Sequence, residues 1–447
     1  MKINPIIFKS YDIRGIYPSE LNEEAAYAIG RAFVVFSEAK NVVVGRDMRI
    51  YSPVLFKELV RGITDQGADV FDMGLVPTEC LYFAVGNYGY HAGVMITASH
   101  NPKDYDGFKM IKKGDKVFSM IRGKDLLETV KAGNFPDVDK KGKINSIDVA
   151  KDYIDHALSV VDVSTIDPFK VVVDAGNGMM GKIIPLLQDR LPIEIMPLNF
   201  VLDGNFPAHP SNFLEEGATD QIAKKIKEEK ADFGFVFDGD GDRVRMLDEH
   251  GVMVEGDIAL LFLARFFLQK NPGLTVSYPI SSSRAVSEMV EKWGGKPVMT
   301  PQGFVYVRDP LVKGGGLVSG EQPSSHYCFK DNFYGDSGIL AFLYLLKIVS
   351  ASGKSVSEMV KEVYHYHRIP ETNFKVKDKD AIIAKIKEKY SDGRQNDMDG
   401  VRIEYDNWWF LVRASNTEPV LRLNIEADTQ ELLEEKQKEL TEVITEK

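Results

Sequence analysis

Runs of apolar, β-branched residues alternate along this chain with stretches whose apolar positions recur at helical spacing. The runs at 41–45, 92–97, 170–174, 233–237 and 274–277 are apolar almost throughout. That is the pattern of strands buried on both faces, in a sheet with helices above and below. Between them, residues 23–40 read as an amphipathic helix. A second helix is predicted over 53–66, with Ser52 as N-cap, Pro53 at its first position and Gly67 just past its end. The bulk of the chain is therefore expected to be α/β. After Pro370 the order becomes helix, hairpin, helix, with 408–413 as a strand, which predicts a smaller C-terminal α+β domain. Breaks near 150, near 252 and over 367–373 divide the chain into four expected domains: 1–150, 151–252, 253–367 and 368–447.

Several strands end in polar, glycine-rich loops: Gly45-Arg46-Asp47 and residues 97–102, 174–178, 238–242 and 319–321. Open α/β sheets bind ligands beyond the carboxyl ends of their strands, so chemistry is expected to gather there. Composition adds only exclusions. At 447 residues the chain is too long for one ordinary core, while 44% hydrophobic and 27% charged residues are usual for a globular protein. Nothing approaches 18 consecutive apolar residues, and the first residues lack the apolar core of a signal peptide. Two cysteines, Cys80 and Cys328, fit a reducing cytoplasm rather than a disulfide scaffold. A net charge of −11 repels nucleic acid, and the lysines of 224–230 alternate with glutamates as on a solvated helix face. The expected partners are small molecules, without nucleic acid or membrane.

Three loops carry candidate chemistry. Asp238-Gly239-Asp240-Gly241-Asp242-Arg243 follows an apolar strand, and acids at every second position of a loosened turn can aim three carboxylates at one point. Unpaired, they would repel; around a hard cation such as Mg²⁺ or Ca²⁺ they would not. An EF-hand fails here, because Arg243 stands where that loop needs glycine and a strand comes before it. Thr97-Ala98-Ser99-His100-Asn101-Pro102 closes another strand, with Lys109 shortly after. It reads equally as a turn or as a nucleophilic serine with partners for a proton. No Gly-x-Ser-x-Gly elbow points to a hydrolase. Beside a metal loop the serine makes better sense as a phosphate carrier, its added charge offset by the cation and basic side chains. Arg413-Ala414-Ser415-Asn416-Thr417-Glu418-Pro419-Val420-Leu421-Arg422 sets two arginine forks around a hydroxyl-rich turn, which suits a phosphate cradle or a plain hairpin. The glycine spacing of 174–181 matches a dinucleotide fingerprint, but close packing of helix on strand explains it as well.

Taken together these loops resemble the α-D-phosphohexomutase superfamily, as do Tyr11-Asp12-Ile13-Arg14-Gly15 and Gly45-Arg46-Asp47 in the same order. The resemblance spans nearly the whole chain. It implies three α/β domains with mixed sheets around a central cleft, plus a C-terminal α+β, TATA-binding-protein-like domain. It implies a phosphomannomutase/phosphoglucomutase that interconverts hexose 6-phosphate and hexose 1-phosphate through a phosphoserine; a monomer or a homodimer is expected, and the sequence does not choose between them. Ser99 would carry the phosphoryl group and, with Asp238, Asp240 and Asp242, hold Mg²⁺. Arg14, His100, Lys109 and Arg243 would surround the transferring phosphate. Glu321, Ser324 or Ser325, and His326 would grip the sugar, and Tyr11, Arg413, Ser415, Asn416, Thr417 and Arg422 the other phosphate. A hexose 1,6-bisphosphate would be the intermediate and activator. The sugar loop is one residue longer than the family's usual form and contains Pro323, and Asp106 stands where the family often has Asn. Thr97-Ala98-Ser99 favours the mannose/glucose branch. The alternatives are a phosphoglucosamine mutase, a non-catalytic sugar-phosphate-binding protein and a phosphatase.

Overall fold

The structure, a computed structural model, describes residues 3–115, 117–321, 323–414 and 420–445. The chain folds into two compact units: Met1–Val254 with Ser324–Ser357, and Glu255–Pro323 with Glu358–Lys447.

The first unit holds two mixed sheets. One is built from β1 (Ile13–Ile16), β2 (Asn41–Arg46), β3 (Asp69–Leu75), β4 (Ala92–Ile96), β5 (Tyr105–Lys112), β6 (Ser119–Ile121) and β7 (Ile144–Ser146), in the order β1-β5-β4-β2-β3-β7 with β6 on β5. The expected strands at 41–45 and 92–97 are β2 and β4, and β4 is buried from end to end. They run parallel, with Arg46 opposite Ile96, so the loops that leave their carboxyl ends start side by side. β5 returns antiparallel to β4 and sets Lys109 opposite Met95. Helix α1 (Glu23–Ser37) starts where the Asn22 side chain accepts from the amide of Ala25 (3.0 Å), with Glu23 and Glu24 in its first turn. It ends three residues before the sequence-based boundary, at left-handed Glu38. Helix α2 (Ser52–Asp65) forms as expected, but its N-cap is Tyr51 and the Ser52 side chain caps nothing.

The second sheet of this unit runs β11 (Val244–Leu247), β10 (Phe233–Phe237), β8 (Lys170–Asp174), β9 (Glu194–Leu198). β8 and β10 are parallel, with Asp174 opposite Val236, so the glycine-rich loop after β8 lies against the aspartate loop after β10. The strand His326–Phe329, its partner Gly335–Asp336 and the buried helix Gly338–Ser352 complete the unit. The second unit contains the parallel pair β12 (Thr275–Pro279) and β13 (Lys296–Thr300), followed by β14 (Val318–Glu321). Its six-stranded C-terminal sheet contains β15 (Thr372–Lys375), β16 (Arg394–Asn396), β17 (Val401–Glu404), β18 (Trp408–Ala414) and β19 (Val420–Ala427), in the order β15-β19-β18-β17-β16, with the short strand His367–Arg368 also paired to β19. A core of Trp408, Phe410, Leu421, Leu423, Leu440 and their neighbours holds this sheet to the helices around it. Among the described residues no single helix is long and apolar enough to cross a membrane.

Candidate active site

The serine loop leaves β4 at Ile96 and turns at once: the amide of Asn101 donates to Ala98 O (3.0 Å), and that of Ser99 donates to Thr97 Oγ1 (2.8 Å). Ser99 is buried and holds a left-handed backbone (φ 52°), a conformation that costs a non-glycine residue free energy and persists only where its surroundings impose it. Its Oγ donates to Asp238 Oδ2 at 3.0 Å and lies 3.2 Å from His100 Nδ1. The strand-end hydroxyl and the aspartate turn, 139 residues apart in sequence, are thus in direct contact.

Glycine makes this approach possible. A Cβ on Gly239 would sit 2.7 Å from Ser211 Oγ and 2.9 Å from Ser99 O. On the opposite side a Cβ on Gly178 would stand 2.6 Å from Gly239 O, and the amide of Met179 donates to that oxygen (2.9 Å). The glycines of 174–181 therefore serve the close packing of one loop on another.

Asp238, Asp240 and Asp242 are all buried, with carboxylate oxygens within 4.8 Å of one another. Burial, and then the charges of Asp240 and Asp242, push the Asp238 carboxyl well above its ordinary range. Asp240 goes the other way: burial raises it, but Lys109, Thr78 and Arg243 outweigh that and hold it ionised. Lys109 Nζ donates to Asp240 Oδ2 (2.8 Å) and to Asp242 Oδ2. Burial pulls this ammonium down, yet Asp240, Asp242 and Asp336 keep it above the usual lysine range. Thr78 Oγ1 donates to Asp240 Oδ2 at 2.5 Å. Asp240 Oδ1 and Asp242 Oδ1 are buried without a hydrogen-bond partner among the described residues. Orphaned oxygens in a ring of mutually repelling carboxylates are the donor set that a hard divalent cation satisfies.

Cations close the rest of the site. Arg14, on β1, donates through Nη1 to Ala98 O (3.1 Å) and Asn101 Oδ1 (2.5 Å), and through Nε to Asp12 Oδ2 (2.7 Å). Arg243 Nε lies 3.4 Å from Asp238 Oδ2 and donates to His326 Nε2 at 3.0 Å. Burial, then Arg243, Arg14, His326 and Lys109, drive the His100 imidazolium well below the ordinary histidine range, so its ring is neutral. His326 is buried, 3.6 Å from both Asp242 and Asp336.

The two serines of the sugar loop differ. Ser325 is buried in a left-handed conformation (φ 60°), and its Oγ accepts from Arg245 Nε at 2.5 Å. Ser324 is half-buried, with Oγ 3.0 Å from His326 Nδ1. Tyr11 is half-buried in the segment before β1. In the second unit Arg413 and Arg422 are register partners on β18 and β19. Both face Glu371, Arg422 Nη1 at 3.2 Å and Arg413 Nη2 at 3.8 Å. Ser415, Asn416 and Thr417, between these arginines in sequence, and the side chain of Glu321 lie outside the described residues.

Three residues in the structure were not singled out from sequence. Asp336 is a buried acid beside His326, and its signal was an acid ending a short strand before the helix Gly338–Ser352. Thr78 braces Asp240, with no signal beyond its place in the loop after β3. Arg49 lies four residues past Gly45 and is fully enclosed.

Four models of the phosphoglucomutase/phosphomannomutase family match the chain: alpha/beta/alpha domain I over residues 5–135, domain II over 151–251, domain III over 255–367 and the C-terminal domain over 371–443. A phosphomannomutase of Vibrio cholerae is 37% identical, across 98% of each chain. A phosphomannomutase/phosphoglucomutase of Pseudomonas syringae is 40% identical, across 96% of this chain and 92% of its own. Among solved structures, the X-ray structure of a phosphoglucomutase/phosphomannomutase family protein from Burkholderia thailandensis has a TM-score of 0.88 at 32% identity, across 99% of this chain and 97% of that one.

Proposed function

This chain belongs to the phosphoglucomutase/phosphomannomutase family, and from that we infer that it is a hexose-phosphate mutase in which Ser99 carries the phosphoryl group between C1 and C6. The observation that supports the carrier role is the 3.0 Å contact of Ser99 Oγ with Asp238, inside a ring of carboxylates that fits a divalent cation. Asp238, Asp240 and Asp242, with Ser99, would hold Mg²⁺, which supplies charge neutralisation to a phosphoryl oxygen.

The chain's own groups do the rest. Phosphoryl transfer needs positioning and charge neutralisation more than covalent help. Arg14, on Ala98 O of the serine loop, and Lys109 and Arg243, on the aspartate loop, would offset the charge of the group in transit. In the first half-reaction the Ser99 Oγ–P bond breaks, a bond forms from phosphorus to the free C1 or C6 oxygen, and that hydroxyl gives up its proton. In the second half the resulting hexose 1,6-bisphosphate, turned end for end, returns its other phosphoryl to Ser99 Oγ, and the sugar oxygen recovers a proton. Of the three candidate bases, Lys109 is held as a cation by its carboxylates and His100 is held neutral by its cationic neighbours. His326 Nε2 accepts from Arg243 Nε and lies 3.6 Å from both Asp242 and Asp336, so His100 and His326 are the two bases this site offers.

For the sugar, half-buried Ser324 beside His326 is the better candidate contact, since Ser325 Oγ is engaged by Arg245. Arg413 and Arg422 would grip the phosphate that is not transferred, replacing their contacts with Glu371 by bidentate contacts with phosphate. The direct test is Ser99→Ala. We expect turnover of mannose and glucose 1-phosphates to fall by about 10³-fold or more while substrate still binds, as loss of a covalent carrier requires. Near-normal turnover would refute the carrier role.

A further inference from the structure

Beneath the serine loop lies a buried polar cluster that takes no part in the chemistry above. Its centre is Arg49, fully enclosed and directed at backbone rather than at a ligand. Its Nη1 donates to Pro102 O and Tyr105 O (both 2.9 Å), and its Nη2 to Ser99 O (2.7 Å) and Asn101 O (2.6 Å). Four carbonyls of the segment that bears Ser99 converge on one planar fork. The remaining Nε faces Asp47 Oδ2 at 3.4 Å, and the guanidinium stacks over the Phe206 ring at 5.1 Å. Asp47 is braced in turn. Ser52 Oγ lies 3.0 Å from Asp47 Oδ1 and 3.0 Å from Asp106 Oδ2. A hydroxyl has one proton, so Ser52 donates to one carboxyl and accepts from the other, which must itself be protonated. Asp106 is the protonated one, since burial and then the charge of Asp47 push it up to about 8. The donations therefore run in one direction, from Asp106 to Ser52 to Asp47, and Asp47 holds Arg49.

We propose that Arg49 is a positioning residue for phosphoryl transfer: by gathering the carbonyls of Ser99, Asn101, Pro102 and Tyr105 it fixes the left-handed backbone of Ser99 and thereby the direction of its Oγ, with Asp47, Ser52 and Asp106 locking the fork in place. The argument is one of degrees of freedom. A left-handed serine is not held by its own preferences. The amide of Ser99 is fixed by Thr97, and its carbonyl is fixed by Arg49, with a weaker donation from Ser211 Oγ (3.3 Å). With both flanking peptide groups pinned, the Cα–Cβ bond can point only towards Asp238. A lysine could neutralise Asp47 but could not span four carbonyls, because its donors radiate from one nitrogen.

This inference rests on Ser99 as carrier, and the test separates the two. Arg49→Lys and Ser52→Ala are assayed with mannose 1-phosphate and a trace of glucose 1,6-bisphosphate, beside Ser99→Ala, with folding checked by thermal unfolding. Arg49→Lys is expected to lower kcat about a hundredfold, the effect of an ångström-scale misplacement of a reacting group, with KM held within about twofold. Ser52→Ala removes one buried hydroxyl and is expected to lower kcat about tenfold, again at steady KM. A loss confined to unfolding temperature, or a rise in KM at constant kcat, would overturn the proposal. Should Arg49→Lys not fold, Ser52→Ala decides: wild-type kcat there overturns it. Turnover in Ser99→Ala would sink the carrier reading instead, whatever the other two variants do.

Discussion

Ser99 needs a backbone that aims its hydroxyl and charge that tolerates a dianionic ester, and different groups meet the two needs. Lys109, Arg14 and Arg243 supply positive charge, and the aspartates supply the cation's ligands. Because Asp240 Oδ1 and Asp242 Oδ1 have no hydrogen-bond partner among the described residues, Mg²⁺ binding should relieve a repulsion that already exists in the folded state. Millimolar Mg²⁺ should therefore raise the unfolding temperature of the wild-type protein. Asp242→Asn should lose most of that shift together with at least about hundredfold in kcat, and an undiminished shift in the variant would exclude this carboxylate as a ligand. Asp106 gives a pH test. Its carboxyl is raised to about 8 in the fold, whereas in an unfolded chain it sits near 4. Between those values the folded protein keeps a proton that the unfolded chain has released, so this group's contribution to stability is complete below about pH 4 and lost as pH rises towards 8. Asparagine makes the same donation to Ser52 without titrating. The unfolding temperature of Asp106→Asn should therefore gain on the wild type steadily from pH 5 to pH 8; parallel curves would contradict this.

At the level of elements, the strands that carry the chemistry were legible because burial on both faces explains five runs that are apolar almost throughout. β8 and β10 fall where the pattern put them, and β2, β4 and β12 differ only at their ends. The DGDGDR loop was readable for a different reason: three acids at alternate positions of one turn repel one another unless a cation lies between them. Ser52 was misread. A serine before proline at a helix start is a good cap by composition, but two buried carboxyls compete for its hydroxyl, and a one-dimensional pattern cannot see them. Arg49 and Asp336 escaped notice because their meaning depends on which loops become neighbours, and that is fixed by the parallel register of β2 with β4 and by the return of the chain to residues 326–336. The loops touch because Gly239 has no side chain. Gly239→Ala should destabilise the first unit by about 1–3 kcal/mol, the usual cost of overpacking, and lower kcat by moving Ser99 from Asp238. Wild-type stability and rate in that variant would show that the loops can part without harm.

At the scale of the whole molecule, a net charge of −11 coexists with a buried site where Arg14, Lys109 and Arg243 brace the serine and aspartate loops, so the charge that matters to an anionic substrate is local. The second unit adds its own arginine pair on β18 and β19, held by Glu371. If that pair grips the phosphate left untouched, Arg422→Ala should raise KM for hexose 1-phosphates about tenfold or more, with a smaller effect on kcat; an unchanged KM would remove Arg422 from the substrate site. The claim on which all of this depends is that the phosphoryl group rests on Ser99 between turnovers. It is tested most directly by intact-mass and peptide mass measurement of the purified full-length protein, before and after a single addition of mannose 6-phosphate. The account predicts a fraction heavier by about 80 Da, the added mass confined to the peptide containing Ser99, and its loss on addition matched by bisphosphate formed. Phosphate found on another residue, or released as inorganic phosphate in equal amount, would contradict it.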